Sequence, residues 1–248
     1  MNAHATKAKL GVVTGAGSGI GRAIAEQLAG RGVDLWLVGR RQQTLEDVAA
    51  AVRRHGVQAW PFPCDLANDA DLERLRTTVT QAGRGLDVLV HSAGSHLLGA
   101  VADAPVAELD EQYRLNLRAP YLLTQQLLPS LRARRGDIVF VNSSVVGLEA
   151  RIQTGAYAAT KHGLKALADV LRQEVNADGI RVLSVFPGQT ATPLQEARYA
   201  REGKAYNADQ LLQPADVAAA VVQALDLPRT AEITDLRVRP SRPPGTAG

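Results

Sequence analysis

Short apolar runs alternate with longer segments of helical period along nearly the whole chain. Because each run is apolar at consecutive positions, we expect strands of a parallel sheet that is covered by helices on both faces, with right-handed crossovers. The predicted fold class is α/β, a doubly wound sheet of about seven strands. The predicted strands are Leu10–Thr14, Val33–Gly39, Val57–Pro63, Leu86–His91, Asp137–Asn142, Ile180–Phe186 and Ile233–Val238. The predicted helices are Ile20–Gly30, Gln42–His55, Asp69–Ala82, Val106–Arg134, Ala156–Ala177 and Pro214–Leu225.

No linker rich in Pro, Gly or Ser interrupts this alternation, so we expect one domain over residues 1–248. The ends, about 1–8 and 240–248, have little to bury and should fray. The segment 192–213 is polar and weakly periodic, and we expect it to be a mobile lid over a substrate. In a sheet of this kind, ligands bind beyond the carboxyl ends of the strands.

Composition excludes several classes of protein. With 46% hydrophobic and 21% charged residues, the chain is not disordered as a whole. A single cysteine forms no internal disulfide and no multi-cysteine zinc site, and we expect no metal. A net charge of +3 requires no nucleic acid as partner. No signal-peptide core and no apolar run near 20 residues is present, so we expect a cytoplasmic protein without a membrane partner.

A glycine-rich turn joins the first predicted strand to the first helix. Glycine lets the backbone turn sharply and approach a phosphate, which the free N–H groups at the start of the helix can bind. A glycine cluster also marks ordinary turns, but its place in an alternating α/β chain favours dinucleotide binding. The candidate residues are Gly15, Gly17, Ser18, Gly19, Ile20 and Gly21.

The end of the second predicted strand indicates which dinucleotide is bound. An NAD site needs an acidic residue here for the ribose 2′-hydroxyl, whereas this strand ends in Arg40 and Arg41. Guanidinium groups match the 2′-phosphate of NADP in charge and shape. The alternative, a solvated basic start of a helix, opposes the helix dipole. We therefore expect NADPH to be preferred over NADH, with Arg22 as a further contributor to the same pocket.

Tyr157 and Lys161 lie four residues apart and share one face of a predicted helix, which continues as an apolar stripe. Lys161 alone would be read as a side chain that reaches solvent at the helix end. Next to a nucleotide site, its ammonium would instead lower the pKa of the Tyr157 phenol, which could then serve as acid and base. A hydroxyl from Ser144 would hold the substrate carbonyl oxygen beside the Tyr157 proton.

With these motifs, the chain resembles the short-chain dehydrogenase/reductase family from Thr14 to about Pro193. The resemblance implies a Rossmann-type fold, an NADP(H)-dependent oxidoreductase, and Tyr157 and Lys161 in both catalysis and cofactor binding. It selects Ser144, thirteen residues before Tyr157, over Ser143. Asn116 resembles the family's asparagine in a proton relay. Three further segments resemble cofactor-binding parts of the family. The segment with Pro187, Gly188, Thr190 and Thr192 resembles the clamp on the nicotinamide. Asp65 and Leu66 resemble the pair beside the adenine, and Ser92, Ala93 and Gly94 resemble the loop that lies against the cofactor.

One position departs from the family pattern. His91 stands where the family usually has asparagine, and we expect it to be structural rather than catalytic.

The reaction implied is hydride transfer between nicotinamide and a small carbonyl or secondary alcohol, with Tyr157 as the acid or base. Alternatives are a reductase of 3-oxoacyl groups on a carrier protein and a non-catalytic NADP-binding sensor or scaffold. No arginine is evident for a substrate carboxylate, and Glu149 is read as a solvated acid. We expect a homotetramer or homodimer that associates through Leu122, Leu123, Leu127 and Leu164–Leu171. The expected pocket wall comprises Ser95, His96, Leu97, Val146, Leu148, Glu149, Thr154, Gly188, Leu194 and Tyr199.

Overall fold

The computed structural model describes residues 8–148 and 152–241 of the chain. Seven parallel strands form one sheet, and every predicted strand is present with its ends shifted by at most two residues. The strands are β1 (Lys9–Thr14), β2 (Val33–Gly39), β3 (Ala59–Pro63), β4 (Val88–His91), β5 (Asp137–Val141), β6 (Arg181–Pro187) and β7 (Asp235–Val238).

The sheet has the order β3-β2-β1-β4-β5-β6-β7. The chain moves outward from β1 in one direction as far as β3, then returns to the other side of β1 to form β4. β1 pairs with β2 on one side and with β4 on the other. The loops after β1 and β4 therefore leave the sheet in different directions and open a crevice between them. The predicted doubly wound α/β fold is confirmed.

Helices cover both faces of the sheet. On one face, a core of buried apolar side chains joins the sheet to α1, α2 and α8; on the other, a second core joins it to α3, α5 and α6. The helices are α1 (Gly19–Ala29), α2 (Gln42–Arg53), α3 (Asp69–Gln81), α4 (Val106–Tyr113), α5 (Ala119–Arg132), α6 (Gly155–Val175), α7 (Pro193–Arg201) and α8 (Pro214–Leu225).

Two segments differ from the sequence-based expectation. The long predicted helix over Val106–Arg134 is divided, because a turn of π-helix at Arg114–Arg118 lies between α4 and α5. The segment 192–213 contains α7, although its apolar periodicity is weak. The Thr192 hydroxyl caps this helix by accepting a hydrogen bond from the backbone N–H of Gln195, and Pro193 occupies the first turn.

The apolar side chains expected at a subunit interface belong mostly to the core of the chain itself. Leu123, Leu127, Leu164 and Leu171 are buried between their helices and the sheet. That part of the expectation is wrong, because the apolar stripes of α5 and α6 face inward. Exposed apolar side chains on these and neighbouring helices belong to other positions, namely Val106, Leu109, Tyr113, Tyr121 and Val170.

Within the described residues, no helix is both long and apolar enough to cross a bilayer. The same part of the chain has no group of three or more His, Cys, Asp or Glu side chains placed to hold a metal ion.

Candidate active site

The turn between β1 and α1 brings backbone segments too close for ordinary side chains. Gly15 has a φ of +66°, and a Cβ on it would lie 2.8 Å from the backbone nitrogen of Ala93. A Cβ on Gly21 would lie 2.4 Å from the Gly15 carbonyl oxygen. The Thr14 hydroxyl oxygen ties this turn to the loop after β4, since it accepts hydrogen bonds from the backbone N–H groups of Ser92, at 3.1 Å, and Ala93, at 3.3 Å. Glycine is therefore required here to keep a backbone-lined crevice open.

The first turn of α1 faces this crevice with its N–H groups open to a ligand. Ser18 is the N-cap residue, but its side chain makes no capping hydrogen bond, and the first turn contains no acidic residue. Exposed N–H groups at the positive end of a helix dipole suit a phosphate. The crevice contains two cavities that share Gly15, Ser18, Ala93 and Gly94. This arrangement fits a dinucleotide whose pyrophosphate lies at the helix start and whose halves extend into the two cavities.

The inner cavity, defined here as the one lined by Tyr157 and Lys161, has a volume of about 220 Å³. It brings together residues from the ends of β1, β4, β5 and β6. The predicted cofactor residues that line it are Gly15, Ser18, Gly19, Ile20, Gly21, Ser92, Ala93, Gly94, Tyr157, Lys161, Pro187, Gly188, Thr190 and Thr192.

The outer cavity, defined as the one lined by Arg40 and Arg41, has a volume of about 410 Å³. Both arginines are exposed, and neither forms an ion pair with another described residue. Arg22 does not line this cavity and instead pairs with Glu26 at 2.8 Å, so its expected contribution to the pocket is not found. The other predicted residues in the lining are Gly15, Gly17, Ser18, Asp65, Leu66, Ala93 and Gly94.

Tyr157 and Lys161 lie on the buried face of α6, in its first two turns. The face continues inward through apolar side chains, as the sequence predicts. The Lys161 ammonium donates a hydrogen bond to the Val141 carbonyl oxygen at 3.0 Å and lies 5.9 Å from the centroid of the Tyr157 ring. The β5 end therefore holds the lysine head beside the tyrosine.

Burial dominates the acid–base properties of this pair. It raises the pKa of the Tyr157 phenol, against smaller lowering influences from a Ser143 hydrogen bond and the positive charge of Arg198. It lowers the pKa of the Lys161 ammonium to about 8. The lowering of the phenol pKa that we expect from Lys161 is not found here, because desolvation of the phenolate outweighs the nearby charges. At neutral pH, the pair is a phenol beside an ammonium.

Asn116 lies behind the inner cavity, in the π-helical turn that divides the long predicted helix. Its side chain is fully buried and bonds to both backbone polar groups of Ser95, at 2.8 and 2.9 Å. Its amide nitrogen also donates to the Thr160 hydroxyl at 3.2 Å. The side chain thus connects the loop after β4 to α6, one residue before Lys161. Single π-helical turns within α-helices are common at functional sites.

The two serines after β5 have different positions. Ser144 lines a third cavity of about 90 Å³, which we call the lateral cavity, together with Tyr157. Ser143 accepts a hydrogen bond from the backbone N–H of Val145 at 3.2 Å and is the side chain that hydrogen-bonds the Tyr157 phenol. Tyr157 therefore lines both the inner cavity and the lateral cavity, with Ser143 bonded to its phenol and Ser144 in the lining of the lateral cavity.

Three polar side chains at the lateral cavity were missed by the sequence analysis or given only a minor role. The His96 ring stacks on the Tyr157 ring with centroids 3.9 Å apart, and burial lowers the pKa of His96 to about 4. Gln195 and Arg198 line the cavity from α7. The cap signal at Thr192 and Pro193 could have located this helix, but not the inward orientation of its side chains.

The expected pocket wall is only partly found. Leu97, Val146 and Tyr199 line neither the inner nor the lateral cavity, and Glu149 lies outside the described residues. The remaining wall residues line one or both cavities: Ser95, His96, Leu148, Thr154, Gly188 and Leu194.

His91 points away from the inner cavity into the second core. Its Nε2 atom lies 2.9 Å from the Thr124 hydroxyl oxygen of α5, and its ring stacks on Phe140 with centroids 4.9 Å apart. Burial lowers the pKa of His91 to about 3, so the imidazole is neutral at physiological pH. These contacts join β4 to α5 and to β5.

Comparison with known proteins gives a consistent result. A family model described as short chain dehydrogenase matches residues 9–203. An uncharacterized oxidoreductase of Staphylococcus aureus is 31% identical over 232 residues, which cover 94% of this chain and 97% of the relative. A relative from Staphylococcus epidermidis, also described as an uncharacterized oxidoreductase, is 30% identical over 94% of this chain and 98% of its own length.

Solved structures agree with the sequence comparison. An alcohol dehydrogenase from the archaeon Thermococcus sibiricus, complexed with 5-hydroxy-NADP, has a TM-score of 0.86 and 27% identity, covering 95% of this chain and 98% of that chain. A metagenomic short-chain oxidoreductase in complex with NADP has a TM-score of 0.81 and 29% identity over 95% of this chain and 98% of its own. From its sheet topology, its glycine-lined crevice and these relatives, the chain belongs to the short-chain dehydrogenase/reductase family of oxidoreductases.

Proposed function

We propose that the protein is an NADP(H)-dependent oxidoreductase that interconverts a small carbonyl compound and the corresponding alcohol. The observation that carries this proposal is the position of Tyr157, which lines both the inner cavity and the lateral cavity beside Ser144. A phenol in this position can exchange a proton with a substrate oxygen while the substrate carbon faces the cofactor. When bound, the cofactor supplies or accepts the hydride.

The proposed roles of the protein groups follow from their contacts. Tyr157 donates its proton to the carbonyl oxygen in reduction and accepts it in oxidation. Ser144 donates a hydrogen bond to the same oxygen and stabilises the developing alkoxide. Lys161 and Asn116 position the α6 face and the loop after β4, and we propose that Lys161 also binds the cofactor ribose. A buried phenol with a raised pKa retains its proton at neutral pH, which favours the reductive direction.

We also propose that NADPH is preferred over NADH, with Arg40 and Arg41 at the 2′-phosphate. Neither guanidinium forms an ion pair with a described carboxylate, and both line the outer cavity. The carboxyl end of β2 has no acidic side chain to hold a 2′-hydroxyl. The related metagenomic oxidoreductase has NADP bound, which supports the same choice.

The test is a panel of ketones, aldehydes and alcohols, assayed by nicotinamide absorbance with both cofactors. Arg40→Asp should raise the KM for NADPH roughly 10- to 100-fold, as expected for the loss of one charge-assisted hydrogen bond. Arg54→Asp makes the same charge change at the exposed end of α2 and should leave the KM unchanged. Tyr157→Phe should abolish turnover but retain NADPH binding. Equal use of NADH and NADPH by the unaltered enzyme would contradict the cofactor proposal.

We further propose a cytoplasmic homodimer or homotetramer. Val106, Tyr113 and Tyr121 leave large apolar surfaces exposed on α4 and α5, at 71%, 46% and 51% of their full area. Large apolar side chains exposed on neighbouring helices are what a protein interface would cover. Light scattering that gives the mass of a monomer would refute the association.

A further inference from the structure

The lateral cavity has a distinctive electrostatic character. It lies beside Tyr157 and Ser144, where the substrate of the proposed reaction would enter. Among the described residues that line it, Arg198 is the one with a full charge, and no described carboxylate faces it. The other described lining residues are His96, Ser144, Val145, Leu148, Thr154, Tyr157, Gly188, Gln189 and Gln195.

Arg198 is turned inward although it lies on a polar helix. Its side chain is 15% exposed, and its Nε donates a hydrogen bond at 2.6 Å to Glu202, four residues on and just beyond the end of α7. Its two terminal nitrogens donate no hydrogen bond to any described residue. Glu202 thus fixes the orientation of the guanidinium, and the outer fork of the group stays available to a ligand.

Glu202 does not neutralise this region. The Lys204 ammonium also bonds to Glu202, at 2.6 Å, so one carboxylate is shared by two cations. Among the described charges that act on His96, those of Arg198, Lys161 and Arg201 are positive and that of Glu202 is negative, and the charge of Arg198 also acts on Tyr157. The described charges near the cavity are therefore mostly positive, which favours an anionic group.

Two further polar atoms at this cavity lack partners. The side-chain amide nitrogen of Gln195 and the Nε2 atom of His96 are buried without a hydrogen bond in the described chain. A buried donor without an acceptor is unfavourable by about 1–3 kcal/mol, so such groups usually have a partner in the functional complex. These two atoms and the terminal nitrogens of Arg198 belong to residues that line one small cavity, and none of them has a hydrogen-bond partner among the described residues.

We infer that the substrate carries a carboxylate close to its carbonyl or hydroxyl group, and that Arg198, assisted by Gln195, binds this carboxylate. This inference rests on the proposed function and specifies its substrate class as short oxo acids and hydroxy acids. The small volume of the cavity favours a molecule of few carbon atoms over a carrier-bound acyl chain. Arg198 is not part of the inner or outer cavity, so its role concerns the substrate and not the cofactor.

The kinetic test compares matched substrates. Acetoacetate, levulinate and 5-oxohexanoate are assayed with NADPH beside their methyl esters, an amino ketone, and acetoacetyl-N-acetylcysteamine as the neutral thioester. For the best acid, we expect kcat/KM to exceed that of its ester roughly 10- to 100-fold, the value of one charge-assisted hydrogen bond. Arg198→Met should remove this advantage through a higher KM for the acid, with less than about threefold change for the ester. Arg54→Met, at the exposed end of α2 and outside the lining of the lateral cavity, removes the same charge and is the control that should retain the preference.

A binding measurement separates this inference from the proposed function. Glutarate, which has no carbonyl to reduce, is titrated calorimetrically into the unaltered protein, Arg198→Met and Arg198→Lys, with NADP⁺ present and absent. We expect binding that Arg198→Met abolishes and Arg198→Lys weakens, since lysine keeps the charge but not the planar fork. Glutarate binding without turnover of any carbonyl compound would refute the proposed function while supporting the anion site.

Several outcomes would overturn the inference. The first is a higher kcat/KM for the ester, the thioester or the amino ketone than for the acids. The second is an equal fall in kcat/KM for the acid and its ester in Arg198→Met. The third is a raised KM for NADPH in Arg198→Met with an unchanged KM for the acid. If Arg198→Met is poorly folded by thermal unfolding, the acid-to-ester ratio of the unaltered enzyme and its change in Arg198→Lys decide the question.

Discussion

His91 makes the stability of the protein sensitive to acid. The ring is buried between Thr124 and Phe140, and burial alone lowers its pKa to about 3. In the unfolded chain, a histidine titrates near pH 6.5. Between these two pKa values, the unfolded state binds a proton that the folded state does not. Stability from this residue is therefore complete above about pH 6.5 and is lost as the pH falls toward 3.

The magnitude follows from the two pKa values. At about pH 4.5, the unfolded histidine is almost fully protonated and the folded one almost fully neutral, so the linkage amounts to about 2–3 kcal/mol. For a chain of this length, that corresponds to a fall of roughly 5–10 °C in Tm. This fall in Tm is larger than that expected from an exposed histidine, because burial is what lowers the pKa on folding.

The test is urea unfolding at about pH 7.5 and 4.5 of the unaltered protein, His91→Asn and His162→Asn. Asparagine can bond to Thr124 but does not titrate. From about pH 7.5 to 4.5, the free energy of unfolding of His91→Asn should therefore fall by about 2–3 kcal/mol less than that of the unaltered protein. Any cavity beside Phe140 affects both pH values equally and cancels in this difference. His162 is exposed, and its variant should behave as the unaltered protein. If His91→Asn lost as much stability as the unaltered protein, the reasoning from burial would be refuted.

Three further predictions concern the site. Ser144→Ala should lower kcat by roughly 10²- to 10³-fold at every pH, since it removes a donor to the developing alkoxide. Ser143→Ala should instead move the pH profile of alcohol oxidation to higher pH, because Ser143 lowers the pKa of the Tyr157 phenol. If Ser143→Ala lowered kcat at every pH and Ser144→Ala shifted the pH profile, the assignment of the two serines would be wrong. Gly21→Ala should weaken NADPH binding more than about tenfold in a fluorescence titration, because its Cβ would meet the Gly15 carbonyl oxygen at 2.4 Å. Gly30→Ala is its control, with a φ of −60° and the nearest atom at 3.4 Å, and equal binding by the two variants would refute the steric argument.

The sequence by itself determined the elements of this protein and much of its candidate site. Strands buried on both faces must be apolar at consecutive positions, and this pattern is visible without coordinates. The spacing of Tyr157 and Lys161 fixes them on one face of α6, and the burial of that face agrees with the prediction. The glycines of the first turn were identifiable because only glycine tolerates backbone contacts as close as those of Gly15 and Gly21.

Only the tertiary structure decided which side chains meet across long stretches of chain. The interruption of the helix at Asn116 and the inward orientation of Arg198 leave no periodic signal, since each depends on contacts with distant elements. Leu123 and Arg22 were misplaced for a similar reason: an apolar residue on a helix fits a core or an interface equally well, and an arginine near a phosphate site can pair with a neighbouring glutamate instead. Local preference selects helix or strand, but packing and charge partners, which are set by the whole fold, select where each side chain points.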